Sequence, residues 1–349
     1  RQAFRSTFEG DESFLSDHRV RMGDTLERVL PGVAYLEMAR AAVAAAVPEG
    51  SRTPVLELRD CVWLQPLVVR GTQPAMVGLN GAPGGEIGFE VWTESEGQRH
   101  VHSEGRALYV SAATPDALPV TTLRERMQSG VLTASAAYAR FEENGLSYGP
   151  AHRALQEAWL GDGELLARLT LPAGVSSEGY VLHPSLLDGA LQATLGLLSG
   201  EGARLPFAVE RVRVFAPCTG TMWAWLRRSS GAASGARMSK HDIDLADADG
   251  RVCVRLEGFL SRALPGTAVA AGIGVVSALP VWRGLGDAGA RSTWSRHHLL
   301  TLGLPSSSVE ALRARWPQAR IEVLPSVEGD VGEAYTAAAL ACFAHVQAL

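Results

Sequence analysis

The sequence predicts an α+β fold of two similarly built halves, each an antiparallel sheet wrapped on one buried helix, followed by a partial C-terminal α/β segment. Three observations predict it. Two segments, 33–47 and 185–198, are apolar almost all the way round, and a helix apolar on every side is a buried one. Their entries resemble each other: Val29-Leu30-Pro31 and Val181-Leu182-His183-Pro184 set prolines 153 positions apart (184 minus 31), a weak internal repeat. Each half also carries short segments in which apolar and polar residues alternate, the period of a half-buried strand.

In 33–47 only Glu37 and Arg40 are charged, three apart as a helix-stabilising pair, with Pro31 and Gly32 as the helix start. Strand character follows at 55–69, 86–92 and 107–110. The second helix follows Pro184 and is apolar or small except at Asp188 and Gln192; its strands fall at 165–171, 211–215, 222–226 and 252–256. Such strands suit antiparallel sheets with one wet face. Stretches 111–120, rich in Ala, Thr and Pro, and 265–276, rich in Gly and Ala, read as connectors. Beyond them a strand at 299–302, a helix at 308–316, a strand at 321–324 and a helix from Gly332 open a different, incomplete α/β domain. The expected boundaries are therefore 1–115, 116–265 and 266–349.

With 349 residues and 46% hydrophobic content the chain can build two or three real cores. Its 32 basic and 37 acidic residues form no long run of one sign, so the footprint of a nucleic-acid binder is missing. Cys61, Cys218, Cys253 and Cys342 are scattered without a CxxC pattern, which argues against a zinc site or a secreted disulfide framework. They read as buried thiols in a reducing cytoplasm. Segment 1–14 lacks the apolar core of a signal peptide, and no apolar run approaches the roughly 20 residues that cross a bilayer. Without terminal signals, the chain reads as a piece of something longer.

Asp188 lies inside an apolar helix, where poor solvation should raise its pKa, unless a partner holds the charge, and keep a proton for general acid work. Gln192, four residues on, shares its face and can orient the carboxyl. Equally open is a helix-start Asp that satisfies free backbone N–H groups. His18 is a candidate base at neutral pH, but it is one of nine histidines, most of which serve packing or surface. His183, just before Pro184, competes for the same role or closes a turn. His100 and His102 alternate along a strand without a third ligand, weak evidence for metal. No GxSxG, HExxH or P-loop occurs, and Gly272-Ile273-Gly274 lacks the third glycine of a dinucleotide fingerprint.

Five ordered blocks across residues 1–265 carry a family resemblance. They are Phe14-Leu15-Ser16-Asp17-His18; Leu30-Pro31-Gly32-Val33-Ala34-Tyr35-Leu36-Glu37-Met38-Ala39; Tyr148-Gly149-Pro150 with Arg153 and Leu155; Leu182-His183-Pro184-Ser185-Leu186-Leu187-Asp188 with Gln192; and Leu205-Pro206-Phe207. Together they resemble the dehydratase domains of modular polyketide synthases, which have a double hot-dog fold. The first two blocks look most like synthases whose acyltransferase is a separate protein. Residues after 265 resemble, through Leu279-Pro280-Val281-Trp282, the lead into a structural ketoreductase-like region with no nicotinamide fingerprint.

The resemblance implies dehydration of a β-hydroxyacyl thioester carried on the phosphopantetheine arm of an acyl carrier protein, with no other cofactor and no metal. His18 would take the α-proton and Asp188 would protonate the departing β-hydroxyl. Gln192, Tyr148, Gly149, Pro31, Gly32 and His183 would border the substrate, with N–H groups at the helix start after Pro31 as donors to the thioester oxygen. Partners would be the carrier protein, neighbouring synthase domains and a second copy in a homodimer, without nucleic acid or membrane. One departure stands out: the family places a proline nine residues after the histidine, whereas Pro31 follows His18 by thirteen, so the loop 21–28 is lengthened by about four residues. A harmless surface bulge and a reshaped pocket both fit. Related domains that close oxygen heterocycles by oxa-Michael addition, or shift a double bond, often lack the acid carboxylate. With Asp188 and Gln192 present, dehydration is favoured. Dehydration coupled to pyran-type cyclisation or an isomerase is the alternative, and a non-catalytic scaffold comes last.

Overall fold

In a computed structural model, residues 2–48, 50, 55–81, 83–95, 97–197, 204–229, 238–263, 298–302, 304–324, 336 and 339–344 are described. The chain opens with β1 (Gln2–Phe8), one helical turn α1 (Ser13–Ser16) and a hairpin of β2 (His18–Met22) and β3 (Thr25–Arg28). The lengthened loop is thus a hairpin. Its two-residue turn puts Gly23 at φ 62°, the conformation a II′ turn asks of its first central residue and glycine adopts without strain.

The first apolar segment folds as α2 (Gly32–Ala46), with Pro31 at its N-cap and Val33, Leu36, Ala39 and Val43 fully buried. It packs on β4 (Val55–Trp63), β5 (Gln73–Gly81), β6 (Ile87–Ser95) and β7 (Gln98–Val110). The connector after β7 ends in α3 (Val120–Arg126), and β8 (Gly130–Thr133), α4 (Ala134–Glu143), β9 (Leu146–Tyr148), β10 (Leu155–Leu160) and β11 (Glu164–Thr170) follow. The second apolar segment becomes α5 (Pro184–Ala193), in which all ten residues are buried, continued by a 3-10 turn over Thr194–Leu197. Strands β12 (Arg204–Val214), β13 (Thr221–Arg228), β14 (Met238–Ala246) and β15 (Val252–Ala263) complete the half, and α5 packs on β10, β11 and β13.

The two expected sheets, each wrapped on its helix, join edge to edge. Among the described residues one twelve-stranded antiparallel sheet runs β1-β5-β6-β7-β4-β12-β15-β14-β13-β11-β10-β8, joined at the middle by β4 and β12. Pairing the two inner edges removes exposed donors and acceptors that would otherwise invite aggregation. A second, three-stranded sheet, β3-β2-β9, also bridges the halves, and α2 touches α5. Each fully buried leucine, such as Leu36, Leu165 or Leu186, contributes about 1.5–3 kcal/mol. Burying Asp188 and Gln192 on α5 costs as much per group unless each polar atom finds a partner.

The connector 265–276, including Gly272-Ile273-Gly274, and Leu279-Pro280-Val281-Trp282 lie outside the described residues. Arg1–Gly272 forms one unit and Ile273–Leu349 another. In the latter, β16 (His298–Leu302) and β17 (Arg320–Leu324) pair in parallel, joined through α6 (Ser306–Arg315), the β/α alternation expected there. The helix expected from Gly332 falls largely outside the described residues. Cys61, Cys218 and Cys253 are buried free thiols, but Cys342 is only half-buried. Among the described residues no helix is long and apolar enough to cross a membrane.

Candidate active site

Strand β2 presents alternate residues to one face, and His18, Val20 and Met22 all line a cavity of about 330 Å³. Both halves build its walls, with Gly32, Tyr35 and Trp63 from the first and Leu191, Leu205 and Phe259 from the second. His18 stands directly opposite Tyr148 in the β2–β9 ladder. Its Nδ1 lies 2.7 Å from the Val29 carbonyl oxygen. A carbonyl only accepts, so Nδ1 carries the proton and Nε2 keeps a bare lone pair. Burial, with the neighbouring His152 in the same direction, pushes the His18 pKa down to about 4 against the pull of Asp188 and the Val29 carbonyl. At neutral pH the ring is an uncharged base.

Asp188 is the fifth residue of α5, too far along to cap it. That task falls to His183, whose Nδ1 accepts from the Ser185 N–H at 3.2 Å while its Nε2 sits 3.2 Å from the Ser176 carbonyl. Burial lowers the His183 pKa to about 4. Expected to border the substrate, His183 instead spends both ring nitrogens on backbone and lies off the cavity lining. The helix-start reading of Asp188 fails for the same reason.

The Asp188 carboxylate meets side chains instead. Its Oδ2 accepts from Gln192 Nε2 at 2.8 Å and faces His152 Nε2 at 3.2 Å. Gln192 is fixed in turn, because the Tyr138 hydroxyl donates to its Oε1 at 2.9 Å while accepting from the Leu155 N–H at 3.1 Å. Both Asp188 and Gln192 line the cavity, as the shared helical face requires. Partners hold the Asp188 charge, the one condition under which its pKa is not expected to rise. Burial does push it up, but the hydrogen bonds from His152 and the Gln192 amide, with the electrostatic influence of His152 and His18, outweigh burial and hold the carboxyl below its ordinary value.

His152 is the residue sequence reasoning missed. It stands two positions after Pro150 of the block Tyr148-Gly149-Pro150, one before Arg153, and is fully buried. Its ring stacks on Tyr148 at 5.8 Å and lies 5.2 Å from the ring of His18. Only the three-dimensional turn at Pro150–His152 brings it to Asp188. That turn is pinned by Asp17, whose carbonyl accepts from the Gly149 N–H at 2.8 Å and whose Oδ2 accepts from the Ala151 N–H at 2.6 Å. A Cβ on Gly149 would overlap the Asp17 carboxyl. Gly149 therefore shapes the site from behind, outside the cavity lining, while Tyr148 lines it. Pro31 likewise stays behind the wall, and Gly32 lines the cavity with its carbonyl held by Trp63 Nε1 at 2.7 Å.

The facing atoms of His18, His152 and Asp188 lie within 4.8 Å of one another. Two of these atoms are already hydrogen-bonded to each other, the arrangement of a proton-transfer set. His102 on β7 is a packing histidine, bonded to Thr93 Oγ1 at 2.8 Å and facing the Gln65 carbonyl at 3.2 Å.

The unit that builds this cavity is similar to known proteins. A family model described as polyketide synthase dehydratase domain matches residues 1–94, and one described as polyketide synthase dehydratase N-terminal domain matches residues 115–271. The crystal structure of a trans-AT PKS dehydratase domain from Brevibacillus brevis is 38% identical, with a TM-score of 0.71 over 76% of this chain and 94% of that one. The chain belongs to the polyketide synthase dehydratase family. Its dehydratase unit is a double hot-dog, and the RzxB dehydratase domain from Pseudomonas fluorescens matches at 27% identity and a TM-score of 0.66, over 74% of this chain and 94% of that one. Polyketide synthase PksM of Bacillus subtilis is 36% identical over 280 residues, 76% of this chain but 6% of that protein. The chain thus spans a small fraction of the curated relatives it matches.

Proposed function

We propose that this dehydratase unit removes water from a β-hydroxyacyl thioester delivered on the phosphopantetheine arm of an acyl carrier protein, in a synthase whose neighbouring domains pass the chain along. The observation that carries the reading is the Nδ1 bond of His18 to the Val29 carbonyl, which leaves a bare Nε2 lining the same cavity as the Asp188 carboxyl. Nε2 takes the α-proton; the Cα–H electron pair becomes the α,β-double bond as the β-C–O bond breaks; and the hydroxyl leaves as water with the proton of Asp188. The step starts from the protonated carboxyl, which His152 and Gln192 resist, so a bound acyl chain that displaces water from the cavity has to offset them. Afterwards His18 holds a proton and Asp188 lacks one, and passage of that proton between them restores the pair. The N–H of Gly32, at the start of α2 and in the cavity lining, is the donor to the thioester oxygen.

Coupled ring closure would use the same base on a distal hydroxyl. One incubation separates the readings: a β-hydroxyacyl thioester carrying a distal hydroxyl, with products resolved by mass and chromatography. An enoyl product supports dehydration, a cyclic product of equal mass supports the bifunctional enzyme, and untouched substrate overturns both.

A further inference from the structure

His152 is buried, titratable and unused by the mechanism above. Its Nε2 faces Asp188 Oδ2 at 3.2 Å, and its Nδ1 lies 3.5 Å from Ser185 Oγ, whose hydroxyl already donates to the Ala151 carbonyl at 2.9 Å. An unprotonated Nε2 would set lone pair against lone pair, so Nε2 bears the proton. Stacking on Tyr148 and the Asp17-pinned turn fix the plane of the ring, and the facing Asp188 Oδ2 sets which edge meets it. The other groups facing Asp188 are His18 on β2, Tyr148 on β9, Tyr138 on α4 and Gln192 on α5. Of these only Gln192 also donates to Oδ2.

We infer that His152 is a positioning residue for the acid: its Nε2–H holds Oδ2 of Asp188, leaves Oδ1 for the substrate, and stabilises the carboxylate formed when the proton is given away. The inference rests on the dehydratase reading for its consequence, though the bond itself can be tested apart. A hydrogen bond to a charged group of this kind moves a carboxyl by about 1–2 pH units.

The experiment compares pH profiles of kcat/KM for the whole chain, His152→Phe and His152→Gln, using a β-hydroxyacyl N-acetylcysteamine thioester, alongside ¹⁵N NMR of histidine-labelled wild type. Phenylalanine keeps the stacking ring and removes the donor, so activity should drop about tenfold or more and the limb where activity falls with rising pH should move up by about 1–2 units. Glutamine restores an N–H and should bring the limb back toward wild type. A folded His152→Phe enzyme with an unmoved limb overturns the inference. So does a wild-type spectrum with the proton of His152 on Nδ1 alone, which needs no variant to fold. Full turnover by His18→Ala would instead overturn the dehydratase reading and leave the His152 tautomer standing.

Discussion

Nδ1 of His18 donates to the carbonyl oxygen of Val29 at 2.7 Å, and that bond decides which ring nitrogen faces the cavity. Replacing His18 by alanine removes the base while the β2–β9 ladder remains. Dehydration should fall by about 10²–10⁴-fold, measured as enoyl formation, with a melting temperature near wild type. Turnover within tenfold of wild type would refute His18 as base.

Burial lowers the pKa of four histidines among the described residues, His18, His102, His183 and His241, and acid should unfold the protein through them. The pKa values of His18, His183 and His241 are each lowered by burial to about 4. Between about pH 6.5 and 4 the unfolded chain binds protons that the folded chain refuses, so stability is fully present above 6.5 and falls as pH drops. Asp188, also lowered, acts only below the carboxylate range. Melting temperature should decline steadily across that window; a flat profile there would contradict neutral burial.

Glu37 and Arg40 form the helix pair expected at that spacing, with both guanidinium contacts at 2.8 Å. The same carboxylate also accepts from the N–H groups of Val181 at 3.2 Å and Leu182 at 2.8 Å, tying α2 to the strap that enters α5. Glu37→Ala should therefore cost about 2–4 kcal/mol by chemical denaturation, roughly what two orphaned buried donors lose. It should also lower kcat by loosening α5. A loss below 0.5 kcal/mol, the scale of an exposed helix pair, would reduce the bond to a local one.

Met22 lies four residues beyond His18 on the same strand face, about 13 Å away at about 3.3 Å per residue, and lines the cavity. Met22→Ala should raise kcat/KM for long or branched acyl thioesters relative to short ones, read from competing substrates in one reaction. An unchanged ratio would make the hairpin a bystander to specificity.

Gly149→Ala forces a methyl group into the Asp17 carboxyl. Overpacking of this kind costs about 1–3 kcal/mol, and it should displace the turn carrying His152. Thermal melting and kcat should fall together.

Much of this was legible in the chain. The all-round apolar character of 33–47 and 185–198 determined two buried helices, alternation determined the antiparallel strands, and the ordered blocks pointed to His18, Asp188 and Gln192, all of which line one cavity. Helix periodicity also placed Gln192 on the carboxyl, because a residue four positions on is a fixed neighbour.

Only tertiary structure decided the rest. The tautomer of His18 depends on the Val29 carbonyl, and the charge of Asp188 depends on His152, donors and acceptors that no local spacing reveals. His183 looked like a site residue and proved to be a cap, because a helix start needs an acceptor before it provides chemistry. Sequence thus determined which groups are buried; the fold determined which partners they meet. For an ionisable side chain in a low-dielectric interior, it is the partner that sets the protonation state.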